Sequence, residues 1–190
     1  MNDFSVSLDE RMLKDVQDKL GAFSKKAPNA ISSSLNRAVT NVASNVSKEV
    51  RKEYNIKSAD IKNTLSKTRA SRSNLSAIVE SRGELIPLDK FKVSPRTVQP
   101  KRKKPIKVGV KKGGVKPLLH SFVSDVNGIK VFERKGKARL PVKKLFGPSI
   151  PQMLKNEDIR KNIDREGSET FNRRLDHEIN RILDRGSASS

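Results

Sequence analysis

Apolar residues recur at helical spacing through the first third of the chain. The first predicted helix covers residues 8–23 and begins at a capping box formed by Ser7 and Glu10. Its apolar stripe consists of Leu8, Met12, Leu13, Val16, Leu20 and Phe23.

A second, longer helix is predicted from Pro28 to about Tyr54. Its stripe consists of Ile31, Leu35, Val39, Val42, Val46 and Val50. The opposite face is rich in Ser, Asn and Thr, which are weak helix formers. This helix therefore needs packing along its apolar stripe to persist.

The pattern changes after a short third helix, which is predicted over residues 58–67 with Ser58 as its cap. Five prolines disfavour helix between residues 85 and 118. Strands or extended segments are predicted instead at 75–81, 86–91 and 106–112, the last of which ends at a Gly113-Gly114 turn.

A β-hairpin is predicted where two alternating runs, 121–126 and 129–135, flank Asn127-Gly128. Both turn residues tolerate the positive φ that a type I′ turn requires. The chain then returns to the core, according to the pattern, at Leu140, Val142 and Leu145.

The C-terminal part is helical from Ser149, its predicted cap, to Gly186, which is predicted to end the helix. Gly-Pro-Ser-Ile-Pro at 147–151 forms a fixed corner before it. The inward stripe consists of Ile159, Ile163, Gly167, Phe171, Leu175, Ile179 and Leu183. Predicted i,i+4 ion pairs join Glu157 to Lys161 and Glu169 to Arg173. Helices, then short strands, then a helix predict an α+β fold with helices segregated from an antiparallel sheet.

Composition limits the core that this chain can build. Of the 190 residues, 34% are apolar, against roughly 45–50% in typical domains, and only 4% are aromatic. The length predicts one domain over residues 1–190, with an extended basic arm at 92–117 and a flexible tail at 186–190. We expect partners in an assembly to complete the modest core.

Positive charge is concentrated in the middle of the chain. The formal net charge is +20, and residues 55–154 contain 24 Lys and Arg against six Asp and Glu. A field of one sign attracts polyanions or acidic proteins and weakens as salt rises. The residues predicted to make such contacts are Arg96, Lys101, Arg102, Lys103, Lys104, Lys107, Lys111, Lys112 and Lys116.

Three interpretations of this basic segment stay open: contact with DNA phosphates, docking on an acidic protein surface, and a solvated loop without a partner. Single-strand binders place aromatic residues among their basic ones, but none occurs between Phe91 and Phe122. Sequence-specific recognition of nucleic acid is therefore not expected.

The residue patterns of common catalytic and metal sites are missing. The sequence has no cysteine and two histidines, His120 and His177, and a His-Glu-x-x-His site would need histidine where Arg181 stands. There is no Walker phosphate loop and no Gly-x-Ser-x-Gly elbow. We expect no enzyme activity, no metal and no cofactor. Without a signal-peptide pattern or a long apolar run, we expect cytoplasmic synthesis and no membrane contact.

Four segments stand out as a set: RASRSNLSA at 69–77, IPL at 86–88, VFERKGKARLPVKKLFGPSIPQML at 131–154 and RLDHEINRIL at 174–183. Together they resemble the bacteriophage minor tail protein Z family, which includes the tail completion protein of lambda-like siphophages. The order of helical first third, central sheet and C-terminal helix is similar as well. The segment 92–117 departs from the family by being longer and more basic.

The resemblance implies a structural role with no catalytic residues to transfer. Members of the family finish the tail, act at its head-proximal end and help it join a DNA-filled capsid. The implied partners are further copies of the chain in a ring, expected to be hexameric, neighbouring tail and head–tail connector proteins, and phage DNA in the channel. The implied location is the head-proximal end of the virion tail. The alternative is a non-sequence-specific nucleic-acid-binding protein.

Overall fold

The computed structural model describes residues 2–7 and 10–187. The fold is α+β as predicted, with a long N-terminal helix, small antiparallel sheets of short strands and a long C-terminal helix. Contacts divide the chain into two compact units. Unit 1 contains residues up to 46, 65–82, and 155 onward, and unit 2 contains 47–64 and 83–154. The chain passes several times between the two units. The single domain over residues 1–190 stays a prediction.

Unit 1 contains helices and a three-stranded antiparallel sheet. Its helices are α1 (Glu10–Leu20), the first part of α2 (Ala27–Glu53) and α5 (Glu157–Ser187). The strands, in their order across the sheet, are β1 (Asn2–Ser7), β3 (Ser76–Ser81) and β2 (Leu65–Thr68). The residue pattern predicted β3 but neither β1 nor β2.

The central element of unit 1 is α2. The predicted stripe is fully buried, and the burial extends to alanines and to Ser34 on the neighbouring positions. Ser34 can be buried because its hydroxyl donates to the carbonyl of Ala30 at 2.7 Å. The buried face of α2 is therefore wider than the stripe predicted from its large apolar residues.

The stripe of α5 packs against α2 at Gly167. A Cβ atom at Gly167 would lie 2.8 Å from Cγ2 of Val42, so glycine permits this close approach of the two helices. The apolar residues from Ile159 to Ile179 are buried as predicted, but the last step is Ile182 and not Leu183.

Gly186 does not end α5, as the pattern predicted, because the helix continues through Ser187. A Cβ at Gly186 would come within 2.1 Å of Cζ of Phe23, so this glycine serves packing. Residues 188–190 of the predicted tail lie outside the described residues. The pair of Glu157 with Lys161 is present at 3.7 Å, whereas Glu169 pairs with Arg165 at 3.5 Å instead of the predicted Arg173.

The first helix is shorter than predicted. It ends at Leu20, and a 3₁₀ turn (Gly21–Lys26) joins it to α2, because Gly21 has a φ of +51° that interrupts the helix. Ser7 lies in β1, and residues 8 and 9 of the predicted capping box lie outside the described residues.

Unit 2 contains short elements grouped in small antiparallel sheets. Its own helices are α3 (Ser58–Lys62) and α4 (Ile150–Met153). One sheet has the order β5 (Lys92–Ser94), β6 (Ile106–Gly109), β7 (Lys116–Leu118). A second has the order β10 (Val142–Lys144), β9 (Ile129–Arg134), β8 (Ser121–Asp125). A two-stranded pair joins β4 (Ile86–Pro87) to β11 (Phe146–Gly147).

Two boundaries at the start of unit 2 were predicted wrongly. The third helix ends at Lys62 and not at residue 67, because Leu65–Thr68 pairs with β3 instead. Ser58 is the first residue of α3 and does not cap it; its hydroxyl shares a hydrogen bond of 2.8 Å with that of Ser47. The extended segment 86–91 is interrupted by a 3₁₀ turn at Leu88–Lys90.

The predicted hairpin is present. Three residues connect β8 to β9, and two of them, Asn127 and Gly128, have positive φ values of 51° and 96°. The carboxylate of Asp125 accepts a hydrogen bond from the N–H of Gly128 at 3.0 Å and stabilises the turn.

The corner before the C-terminal helix is built as predicted at its cap. Ser149 and Gln152 form a capping box at the start of α4. The predicted single helix is nevertheless two, because the side chain of Asn156 accepts from the N–H of Asp158 and starts α5 afresh. Leu140 was predicted to return to the core but is 68% exposed, while Val142 and Leu145 are half-buried.

Candidate interaction surface

All nine predicted contact residues lie in unit 2, and all nine are exposed. This unit contains 23 Lys and Arg against seven Asp and Glu, so it holds +16 of the total charge of +20. Within the described residues, none of the nine forms an ion pair with a carboxylate. Unit 2 therefore presents positive charge that its own side chains leave uncompensated.

The segment 92–117 forms a sheet along part of its length, and its role as an extended basic arm stays a prediction. Val93, Ile106 and Val108 are buried and give the sheet of β5, β6 and β7 an inward face. Alternation along β6 then turns Lys107, which lies between the buried Ile106 and Val108, outward. Irregular backbone is confined to residues 95–105 and 110–115.

The sheet places two of the predicted lysines. Lys107 is exposed on the central strand β6, where it is paired with Ser94 of β5 and Pro117 of β7. Lys116 is exposed on the edge strand β7, opposite Val108. The two lysines therefore lie on different strands, Lys107 at the centre of the sheet and Lys116 at its edge.

Asn55 holds the turn that carries Lys111 and Lys112. Its side-chain amide donates to the carbonyls of Gly109 at 3.1 Å and Lys111 at 3.0 Å. Backbone bonds join the same segments, from the N–H of Asn55 to the carbonyl of Val110 and from the N–H of Lys112 to that of Glu53. The two lysines therefore project from a turn anchored to the end of α2.

The loop 95–105 is held together by Arg102. The guanidinium of Arg102 donates to the carbonyls of Lys104 and Pro105 and to the side-chain oxygen of Gln99, at 2.6, 3.2 and 3.1 Å. Arg96 donates to the backbone carbonyl of Asp89 at 3.2 Å. Two of the predicted contact residues thus help to shape the loop, and their charge stays exposed.

A groove of about 950 Å³ brings some of these residues together. Three of the nine predicted contact residues line the groove, namely Arg102, Lys103 and Lys104. Arg134 and Arg139, which come later in the chain and are not among the nine, also line it. The remaining six predicted residues do not line this groove. The nine predicted residues are therefore spread over several surfaces, and only three of them lie together at the groove.

A family model for prophage minor tail protein Z matches residues 12–185, nearly the whole chain. The chain belongs to this family. It is thus a structural component of a bacteriophage tail. A comparison with curated proteins gave no significant match, and neither did one with solved structures.

Residue patterns missed three contributors to this surface. Arg134 and Arg139 were not among the predicted contact residues, although their charge is visible in the sequence. Asn55 gave no signal, because its role depends on carbonyls more than 50 residues away in the chain.

The two histidines are both exposed. His177 is exposed on α5, as predicted, and His120 is exposed at the rim of the groove. Within the part of the chain that the structure describes, no group of three His, Cys, Asp or Glu residues could hold a metal ion. Over the same residues, no helix is long and apolar enough to cross a bilayer.

Proposed function

We propose that this chain completes the tail at its head-proximal end, as a homo-oligomeric ring around the DNA conduit that joins the tail to the head. In this role unit 2 provides the electrostatic contact to the neighbouring connector proteins or to DNA in the channel. The observation that carries the proposal is the charge of +16 on unit 2, with all nine predicted cations exposed.

Concentrated charge of one sign fits an assembly role for physical reasons. It accelerates the encounter with an acidic partner, and it selects against partners of the same sign. Individual exposed ion pairs contribute little, about 0–1 kcal/mol each, so binding would depend on many of them together. The family assignment to the phage tail supplies the setting in which such a partner occurs.

The test neutralises charge without removing a strand. Deleting residues 99–114 would remove β6, the central strand of its sheet, so substitution is the sharper experiment. The triple variant Lys101→Gln, Lys103→Gln and Lys104→Gln spares Arg102, whose hydrogen bonds hold the loop.

A matched control replaces three exposed lysines of unit 1, Lys14, Lys19 and Lys25, with Gln. Both variants are introduced into the phage, and infectious titre is measured with the fraction of tails joined to filled heads in electron micrographs. We expect fewer joined particles for the unit 2 variant alone. An unchanged titre for that variant would sink the proposed contact.

The ring is tested separately. Light scattering of the purified protein across concentration and salt, with negative-stain images, gives the oligomer size. A ring with a central hole supports the conduit and yields its symmetry, expected to be six-fold. The proposed ring would be contradicted if the protein stayed monomeric at every concentration, even when tail tubes are added.

The alternative function, general binding of nucleic acid, is favoured by the same uncompensated cations. It predicts that the isolated monomer binds duplex DNA tightly, with a steep loss of affinity as salt rises. Fluorescence anisotropy with labelled DNA at low and at physiological salt distinguishes the two. Tight binding by the monomer at low salt that weakens steeply at physiological salt would favour the alternative.

A further inference from the structure

We propose that the groove of unit 2 binds an extended acidic segment of a neighbouring virion protein, which adds as an extra strand along the open edge of β8. The inference deepens the proposed function, on which it rests for the setting of the partner. The binding itself is a property of the isolated chain.

The groove is where the chain exposes apolar side chains together. Eight large apolar residues of the described chain are exposed, and four of them line this groove: Val98, Leu119, Val126 and Leu140. Two of these, Leu119 at 75% and Leu140 at 68%, are the most exposed of all eight. Clustered exposed apolar residues mark interaction sites more often than scattered ones do.

Aromatic rings extend the same apolar surface. Phe122 and Phe132 are directly paired across the hairpin, with ring centroids 6.0 Å apart, and both line the groove. The guanidinium of Arg134 lies 4.9 Å from the centroid of the Phe122 ring. The surface thus combines apolar area with a cation held over it.

The charge of the groove selects the sign of the partner. Five cations line it, and no acidic residue does, among the residues that the structure describes. They are Arg102, Lys103, Lys104, Arg134 and Arg139. A partner that covers the apolar residues must bring carboxylates to compensate these cations, since burying unpaired charge is costly.

The edge of β8 offers backbone groups for pairing. The N–H of Arg134 donates to the carbonyl of His120 at 3.3 Å, which makes these two residues a hydrogen-bonded pair. In an antiparallel ladder the next pair along, Ser121 with Glu133, is not hydrogen-bonded, and Val123 with Val131 follows the same rule. The N–H and C=O groups of Ser121 and Val123 therefore point away from β9.

No described strand pairs with that edge, although β6 approaches β8. Within the described residues β8 pairs with β9 alone, and Ser121 to Ser124 line the groove in succession. The N–H of Leu145 donates to the carbonyl of Val131 at 2.9 Å, which confirms that Val131 directs its backbone away from β8. An open edge beside a groove is the arrangement that accepts an added strand.

The groove is also held in shape before a partner arrives. Arg102 makes three hydrogen bonds within the loop on one side. On the other side, Arg134 donates to the carbonyl of Arg139 at 2.7 Å. Preorganised walls reduce the entropy lost on binding.

The experiment measures binding of a short fluorescein-labelled peptide in which glutamate alternates with leucine or valine, by fluorescence anisotropy with the full chain. Two altered peptides test the two components of recognition. One has glutamine in place of glutamate, and the other has N-methyl groups on alternate backbone nitrogens, which prevent strand pairing. We expect both to bind at least about tenfold more weakly.

Protein variants locate the site, each with a matched control outside the groove. Arg139→Glu is expected to weaken peptide binding about tenfold, and Arg72→Glu, which makes the same charge change at an exposed arginine outside the groove, much less. Leu140→Ser is expected to weaken it about fivefold, whereas Val115→Ser, also exposed but outside the groove, is expected to leave it unchanged. These side chains are exposed, so folding is expected to survive, and circular dichroism checks it.

Several results would overturn the inference. They are no binding of the acidic peptide, equal binding of the N-methylated peptide, or equal effects of each variant and its control. Binding of duplex DNA in the groove with no binding of the peptide would overturn it as well. Because head–tail joining is scored in phage and peptide binding on the isolated chain, either proposal can fail while the other stands.

Discussion

Asn55 is expected to fix the turn that presents Lys111 and Lys112. Its side-chain amide is the donor of two hydrogen bonds, one to the carbonyl of Gly109 and one to that of Lys111. The variant Asn55→Ala removes both bonds and leaves the two carbonyls to water. The backbone bonds on either side stay in place, so the turn is expected to open locally while the unit remains folded.

The size of the effect follows from the two bonds. A neutral hydrogen bond contributes about 0.5–1.5 kcal/mol net, and the bond to Lys111 is exposed and lies at the low end. Asn55→Ala is therefore expected to cost about 1–2 kcal/mol in local stability. That cost corresponds to a roughly 5- to 30-fold change in the population of the open turn.

Amide hydrogen exchange followed by NMR measures this opening directly. The reporters are the N–H of Asn55, bonded to Val110, and the N–H of Lys112, bonded to Glu53 at 2.7 Å. Both are expected to exchange roughly 5- to 30-fold faster in the variant. Asn63→Ala is the control, since Asn63 is exposed on the same unit. Unchanged exchange at both reporters would refute the role of the side chain.

Three further substitutions test packing, capping and ionisation. Gly167→Ala is expected to destabilise by about 1 kcal/mol in urea unfolding, since overpacking against Val42 exceeds the gain in helix propensity; adding Val42→Ala should relieve it. Ser149→Ala is expected to cost about 1 kcal/mol by the same assay, while Ser149→Thr keeps the cap. Burial raises the pKa of Asp164 above its usual value of 3.8, and the nearby charge of Arg160 opposes this shift. The protonated carboxyl is therefore favoured in the folded state, so the contribution of Asp164 to stability is complete below pH 3.8 and is lost as the pH rises. Asp164→Asn is therefore expected to stabilise near pH 7 but not at about pH 3, and equal effects at both would refute this sign.

Local patterns predicted the long elements well and the short ones poorly. The stripes of α2 and α5 were visible because their apolar residues repeat over many turns. Residues 65–67 were assigned to a helix but belong to β2, since pairing with β3 outweighs their weak local preference. Gly186 was predicted to end the helix, but it lies within α5, where the absence of a side chain makes room for the ring of Phe23.

The sequence by itself determined the α+β class, the family and the sign and concentration of the charge. These follow from composition, periodicity and the four runs of residues that resemble the family, all of which are local properties of the chain. Only the tertiary structure decided which cations share a surface. Arg102 and Arg139 meet at one groove, while Lys107 and Lys112 stand elsewhere. The reason is that strand pairing sets the distances between segments far apart in the chain, and a local pattern does not carry that information.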